Sequence, residues 1–295
     1  MPPARSSIVV TNPSGYCNAI KSGNGKEIQL APGNYTQSCK FSNPRNINIT
    51  AHDVNNPPVF RYTGSGSNIL EPVNGDDVYI SFLRFESSND SIAAIKSQKG
   101  NNISIVGNQM NDIGGLNIGA VTGGTNYYIG YNRMTNARHT AVYLGEFEGG
   151  QPMLGYTFEW NYINGVDPYA SHMTGYAIEV KLNSFGKILN NTLYDTKGPV
   201  LAVYGGDRNG TTIVSGNYLE GSRSDGGINI SGGPALVYGN ITRKNDTGIY
   251  TQNYKSRGIL NNVHVFNNTS VENGTDYNIR NLSSGSGNAF YANVS

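Results

Sequence analysis

The sequence predicts an all-β fold, a single-stranded right-handed parallel β-helix with an N-terminal cap, and three observations carry that expectation. Eight asparagines, Asn108, Asn132, Asn161, Asn191, Asn217, Asn240, Asn268 and Asn293, recur at intervals of 24, 29, 30, 26, 23, 28 and 25 residues. Most of them close the same short phrase, as in Ile105-Val-Gly-Asn108, Ile129-Gly-Tyr-Asn132, Ile188-Leu-Asn-Asn191 and Val237-Tyr-Gly-Asn240. Composition agrees: 38 Gly and 20 Tyr against 14% charged residues favour bends and half-buried strands over amphipathic helices. A repeat of this length is too short for a βαβ unit of ~30 residues or more. It suits three short strands and their bends, stacked at the ~4.8 Å spacing of neighbouring strands. An Asn at one bend of every coil can then hydrogen-bond the Asn above and below it.

The chain of 295 residues is long enough for one large all-β domain, so residues 1–295 are read as a single solenoid. Residues 1–50 are assigned to the cap and first turn. There, the alternating stretch from Ala19 to Leu30 runs into the Pro32-Gly33 turn. The formal charge of +1 gives no reason to expect nucleic acid or an anionic membrane as partner. No apolar run reaches the ~18 residues of a membrane span. Cys17 and Cys39, the two cysteines, would close a loop in an oxidising compartment or stand as two buried thiols. The start Met1-Pro-Pro-Ala-Arg5 has no apolar signal core and reads as a mature or trimmed chain. A secreted monomer is the expectation.

From Asp77 onward each turn carries an Asn-anchored strand, a polar bend and a second apolar strand. The second strands are expected at Ile92–Ile95, Leu116–Val121, Thr140–Leu144, Tyr176–Leu182, Pro199–Tyr204, Gly227–Ser231 and Gly248–Gln252. Alternation puts Ile178, Val180, Leu201 and Val203 inside, with Glu179, Lys181, Ala202 and Tyr204 facing out. Aligned, these strands give one outward column of Gly145, Lys181, Tyr204, Ser231 and Gln252. A second column reads Tyr143, Glu179, Ala202, Asn229 and Tyr250. His139, Glu146, His172, Asp207 and Arg208 flank the columns. Two turns carry extra length, at Leu144–Tyr156 and Val166–Thr174, and long insertions in a solenoid gather on its binding face. A solvent-facing stripe of Lys, Tyr, Glu, His and Arg suits a carbohydrate groove, where rings stack on sugars and charges hold carboxylates or hydroxyls.

Two stretches, Thr174-Gly-Tyr-Ala-Ile-Glu-Val-Lys-Leu-Asn-Ser184 and Asn190-Asn-Thr-Leu-Tyr-Asp-Thr-Lys-Gly-Pro-Val-Leu-Ala-Val-Tyr-Gly-Gly206, resemble the core of β-helical uronan lyases. The similarity is to the family of alginate lyases and chondroitinase B, over about residues 125–245, and the opening segment also looks like that of β-helical polysaccharide-degrading enzymes. In that family a Lys on one turn is the base and an Arg on the next assists as acid. Lys181 matches the Lys; Tyr204 stands at the Arg position. Thr174 and Tyr176 stand where the family has calcium-binding acids, so calcium is a candidate cofactor without an evident ligand set.

The resemblance implies β-elimination on an extracellular anionic polysaccharide, with Lys181 as base, Tyr204 as acid and His139 sharing the proton work or holding the carboxylate. Tyr143, Glu146, His172, Glu179, Asp207, Arg208 and Asn229 are the expected substrate-binding residues. A lysine works as a base only once its ammonium has lost a proton, and Glu179 on the same face opposes that. Other signatures do not occur: the paired Asp and Gly-His-Gly phrases of polygalacturonases, and the Arg-x-Pro-x-x-Arg phrase of pectate lyases. Asp167-Pro-Tyr-Ala-Ser-His172 is a faint echo of the Asp-Pro-His-Glu phrase of mannuronan epimerases. Two alternatives stay open. One is an inverting glycoside hydrolase with carboxylates ~6.5–9.5 Å apart, drawing on Glu179 with Glu146 or Asp207. The other is a non-catalytic sugar-binding or adhesin solenoid.

Overall fold

A computed structural model describes residues 5–66, 68–205, 210–253, 259–281 and 285–295. The strands stack into three parallel sheets, one of thirteen strands and two of ten. Each coil runs along the long sheet, turns at the Asn bend into the second sheet, and crosses a loop into the third. Met153–Glu159, Tyr162–Val166 and Ile178–Val180 make one such coil. The predicted outward columns are in register: Tyr143 pairs with Glu179, Glu179 with Ala202, Ala202 with Asn229 and Asn229 with Tyr250. Several strands of the third sheet are shorter than their expected spans, whereas Gly226–Ile230 and Thr247–Thr251 keep the expected five residues, shifted by one. Ile178–Val180, Leu201–Val203 and Val142–Leu144 keep only three residues each; the first two lose residues at both ends, so that Lys181 and Tyr204 follow their strands rather than lie within them.

The asparagines form a continuous ladder. From Asn108 to Asn293 each side-chain amide donates to the Oδ1 of the next Asn at 2.9–3.1 Å. The same Oδ1 accepts the backbone N–H of the preceding ladder Asn at 2.9–3.1 Å. A third bond runs from the amide to a backbone carbonyl, as from Asn161 to Ile129 at 2.9 Å. Every donor at the bend is thereby satisfied without water. That satisfaction is what lets a sharp corner sit with its Asn side chains buried.

The residue before each ladder position adopts positive φ, which turns the chain from the long sheet into the second. Gly and Asn, the residues that tolerate this conformation, fill it at Gly107, Asn190, Gly216, Gly239 and Asn267. Tyr131, Trp160 and Ala292 fill it too, with φ of 59°, 56° and 53°, as does Phe82 (φ 56°) at the equivalent place one coil earlier, before Leu83, whose N–H bonds the Asn108 Oδ1. For such residues the left-handed region costs about 1–2 kcal/mol each.

Inside the coil, side chains stack in columns of like size. One column reads Tyr35, Phe60, Phe85, Met110, Met134, Ile163, Leu193 and Leu219, and then becomes Thr242 and Ser270 near the far end. Its first three rings are 5.1 Å apart in succession. The short helix Tyr16–Lys21, unanticipated in the sequence, sets the Tyr16 ring edge-on 5.4 Å from both Tyr35 and Phe60. Cys17 and Cys39 are joined in a disulfide that ties this helix to the strand Cys39–Ser42, so the thiol alternative is set aside. No helix of the described residues is long and apolar enough to cross a membrane.

Asn161→Ala should cost roughly 2–5 kcal/mol, because it leaves the Asn132 backbone N–H buried without an acceptor, takes one acceptor from its side-chain amide and removes the bonds that Asn161 itself donates to Asn191. Urea unfolding monitored by far-ultraviolet circular dichroism reads the loss; a change under about 1 kcal/mol would mean the ladder is ornamental.

Candidate active site

Sheet alternation sends Glu179 and Lys181 outward from the third sheet, but neither meets solvent. They are 6% and 5% exposed, so the expected solvent-facing stripe is covered at this point. The cover is the inserted loop 145–152 of the preceding coil. Gly149 lies against Leu182, and its carbonyl accepts the Asn183 side-chain amide at 3.1 Å. The loop also bonds to itself, Glu146 N–H to Gln151 O and Gly149 N–H to Glu146 O, both at 3.0 Å. This folding brings the Phe147 ring over the Lys181 ammonium.

The ammonium is boxed. Its Nζ lies 4.6 Å from the centroid of the Tyr204 ring and 4.9 Å from those of Tyr143 and Phe147. It donates to the Glu179 carboxylate beside it. Aromatic faces favour a cation, and the carboxylate balances its charge where water is scarce. Burial pushes the Glu179 carboxyl above its usual range, while the Lys181 charge and hydrogen bond pull it back. Beyond the box, the Tyr204 and Tyr176 hydroxyls share a hydrogen bond of 2.7 Å. Burial raises the Tyr176 phenol, with the Glu179 charge adding to the effect, so Tyr176 keeps its proton.

Tyr143 connects the box to an open cleft of about 340 Å³, which His139, Lys96, Asp90, Asn68 and Tyr169 also line. His139 Nδ1 accepts the Thr140 N–H at 2.7 Å, which leaves its proton on Nε2 in the neutral ring. Burial lowers its pKa. Tyr169 comes from the second insertion, 167–177, which Lys197 of the next coil pins by bonds to Ser171 O and Met173 O at 2.8 and 3.0 Å.

The structure thus gathers Lys181, Tyr204, Glu179 and Tyr143, with His139 in the adjoining cleft. It does not gather Glu146, His172 or Asn229. The Glu146 carboxylate lies against Gly150 in its own loop, and His172 is exposed in the 167–177 insertion. Asn229 stands two coils along the Glu179 column, its Oδ1 buried without a hydrogen-bond partner. Asp207 and Arg208 lie outside the described residues. Phe147 and Tyr176 were not singled out for this site. Tyr176 was legible as the residue standing at the position of a calcium-binding acid, but Phe147 gave no signal beyond its place in an insertion. Glu179 is engaged by Lys181, and among the described residues no group of three or more His, Cys, Asp or Glu side chains could hold a metal ion. The residues present at this place do not fit calcium.

No protein-family model matches the chain, and no curated protein matches its sequence. Solved structures do match its shape. An alginate lyase from Paenibacillus sp. str. FPU-7 superposes with a TM-score of 0.61 at 16% identity, over 98% of this chain and 99% of the other. The A-module of a mannuronan C-5 epimerase from Azotobacter vinelandii gives 0.56 at 10% identity, over 97% and 96%. The Dettilon tailspike protein gives 0.62 at 13% identity, with 90% of this chain on 55% of that one. The likeness is one of fold. The chain has the β-solenoid shared by polysaccharide lyases and an epimerase, and the residues of its site must be argued from their own geometry.

Lys181→Met should leave the Glu179 carboxyl buried without its cation and cost about 3–5 kcal/mol at neutral pH. With that carboxyl raised further, the folded variant binds more protons than the unfolded chain above pH 4.5, so its stability falls as pH rises from there. Thermal melts across pH 4–8 should show this slope in Lys181→Met and its disappearance in Lys181→Met/Glu179→Gln. Parallel pH curves for the two variants would refute the buried pairing.

Proposed function

We propose that the protein is a secreted polysaccharide lyase that cleaves a uronic-acid-containing chain by β-elimination, at the Lys181–Tyr204–Tyr176 constellation. The observation that carries this reading is the Tyr204 hydroxyl, held at 2.7 Å from Tyr176 while its ring faces the buried Lys181 ammonium. In this reading Tyr176 donates to the Tyr204 oxygen, and Lys181 places a positive charge over the ring. Both favour negative charge on Tyr204. As the phenolate, Tyr204 takes the C5 proton of the uronate; the electron pair forms the C4=C5 double bond and the C4–O bond breaks. The same hydroxyl then returns the proton to the leaving oxygen, so no outside acid is required. Lys181, enclosed and tied to Glu179, acts through Tyr204 rather than as the base itself. His139 and Lys96 line the adjoining cleft, where the substrate carboxylate would need a donor and a positive charge.

The solenoid shared with an alginate lyase supports the reading at the level of fold, and the disulfide supports an oxidising, extracellular setting. Paired-carboxylate hydrolysis is less favoured, since Glu179 is buried and held by Lys181.

The test is ultraviolet absorbance of the new C4=C5 bond, followed on alginate, polygalacturonate and chondroitin sulfate. The expected result is a rise on at least one substrate, lowered about 10²–10⁴-fold in Tyr204→Phe, which keeps the ring but removes the proton carrier. New reducing ends without absorbance would replace elimination by hydrolysis. Full activity in Tyr204→Phe would remove Tyr204 from the chemistry.

A further inference from the structure

We infer that the protein has a second, non-catalytic binding site for a glycan chain, on the edge between the long and second sheets, formed by Phe82, Tyr131 and Trp160. This edge faces away from the third sheet and the Lys181 box, so the site stands whether or not that box cleaves anything.

Three observations support it. The rings occupy the positive-φ position before the ladder, where the other coils place small residues, Gly or Asn at Gly107, Asn190, Gly216, Gly239 and Asn267 and Ala at Ala292. A bulky side chain there opposes folding, and such strain persists where the side chain is used for something else. Secondly, the rings are exposed rather than packed, at 40%, 58% and 53% for Phe82, Tyr131 and Trp160. Gly107, between Phe82 and Tyr131 in the column, gives the Phe82 ring room: a Cβ on Gly107 would come within 2.7 Å of it. Coil spacing of ~4.8 Å then sets the three rings in a single file about 15 Å long, parallel to the solenoid axis. Thirdly, Tyr131 also forms the wall of a groove of about 750 Å³ on the outer face of the long sheet. Tyr79 and Tyr128 line it with Asn46, Asn102 and Asn126.

Ring faces beside amide and hydroxyl groups suit the alternating C–H and O–H surfaces of sugar residues. A file one ring wide fits a linear chain. It lacks the breadth of the apolar core that a protein interface buries. Arg5 and Asp77 both border the groove and their charges offset, so recognition rests on sugar rings and hydroxyls rather than on anionic groups.

Trp160 is the one tryptophan of the chain, so intrinsic fluorescence reports on this edge directly. The full chain carrying Tyr204→Phe, which keeps polymers intact, would be titrated with alginate, polygalacturonate and uncharged dextran. A saturable change in Trp160 emission with at least one polymer, and protection from acrylamide quenching, is expected. Tyr131→Asn should weaken that response about tenfold while leaving the melting temperature unchanged or higher, because Asn accepts the backbone conformation. Absence of any response from all three polymers would overturn the site, as would a response that Tyr131→Asn leaves intact. A melting temperature lowered by several degrees would make the rings structural. Sedimentation showing an oligomer that Tyr131→Asn converts to monomer would make the edge a self-association surface instead.

Discussion

The asparagine ladder is the constraint on which the rest of the structure depends. A parallel solenoid has no hairpins to fix which residue lies over which, and a slip of one residue would turn every outward side chain inward. Asn161, for example, accepts two bonds from Asn132 of the coil before and donates two to Asn191 of the coil after, so the register is pinned once per turn. The insertions can then vary the length of a coil without disturbing the sheets. Intervals of 29 and 30 residues on either side of Asn161 carry the two loops, while the second and third sheets stay paired residue for residue and the long sheet absorbs one bulge, between Leu154 and Tyr156.

That tolerance produces the candidate site. Columns of outward residues are a generic property of the fold, and Tyr143, Glu179 and Lys181 would be a solvated stripe if every coil were short. Loop 145–152 folds over the next coil and changes the medium around them. In the resulting low-dielectric box a lysine, a carboxylate and three rings interact far more strongly than they would in water. Under the proposed reading the reacting group is the phenol of Tyr204, with Lys181 enclosed behind its ring.

The same bend that carries the ladder shows where local preference yields. Most coils place Gly or Asn before the ladder Asn, which agrees with the backbone the turn requires. At Phe82, Tyr131 and Trp160 the sequence disagrees with its own fold, on consecutive or nearly consecutive coils and on one exposed edge. Agreement between levels is the rule in natural proteins, and a clustered departure from it marks a demand other than stability.

The sequence by itself determined the coil. Eight asparagines at nearly regular spacing named the fold class, because a ladder side chain must recur once per turn. Period-two alternation placed Ile178, Val180, Leu201 and Val203 inside, because a strand's side chains can point only two ways. Alignment of those strands also brought Lys181 beside Tyr204. The Cys17–Cys39 disulfide was legible as the loop the two cysteines close in an oxidising compartment, but the helix Tyr16–Lys21 was not, since it depends on what the first coil leaves to be covered. Only the tertiary structure decided that Glu179 and Lys181 are buried, that Phe147 closes over them and that Tyr176 meets Tyr204. Those contacts depend on how a loop packs across a neighbouring coil, and no periodicity records the direction in which an insertion folds.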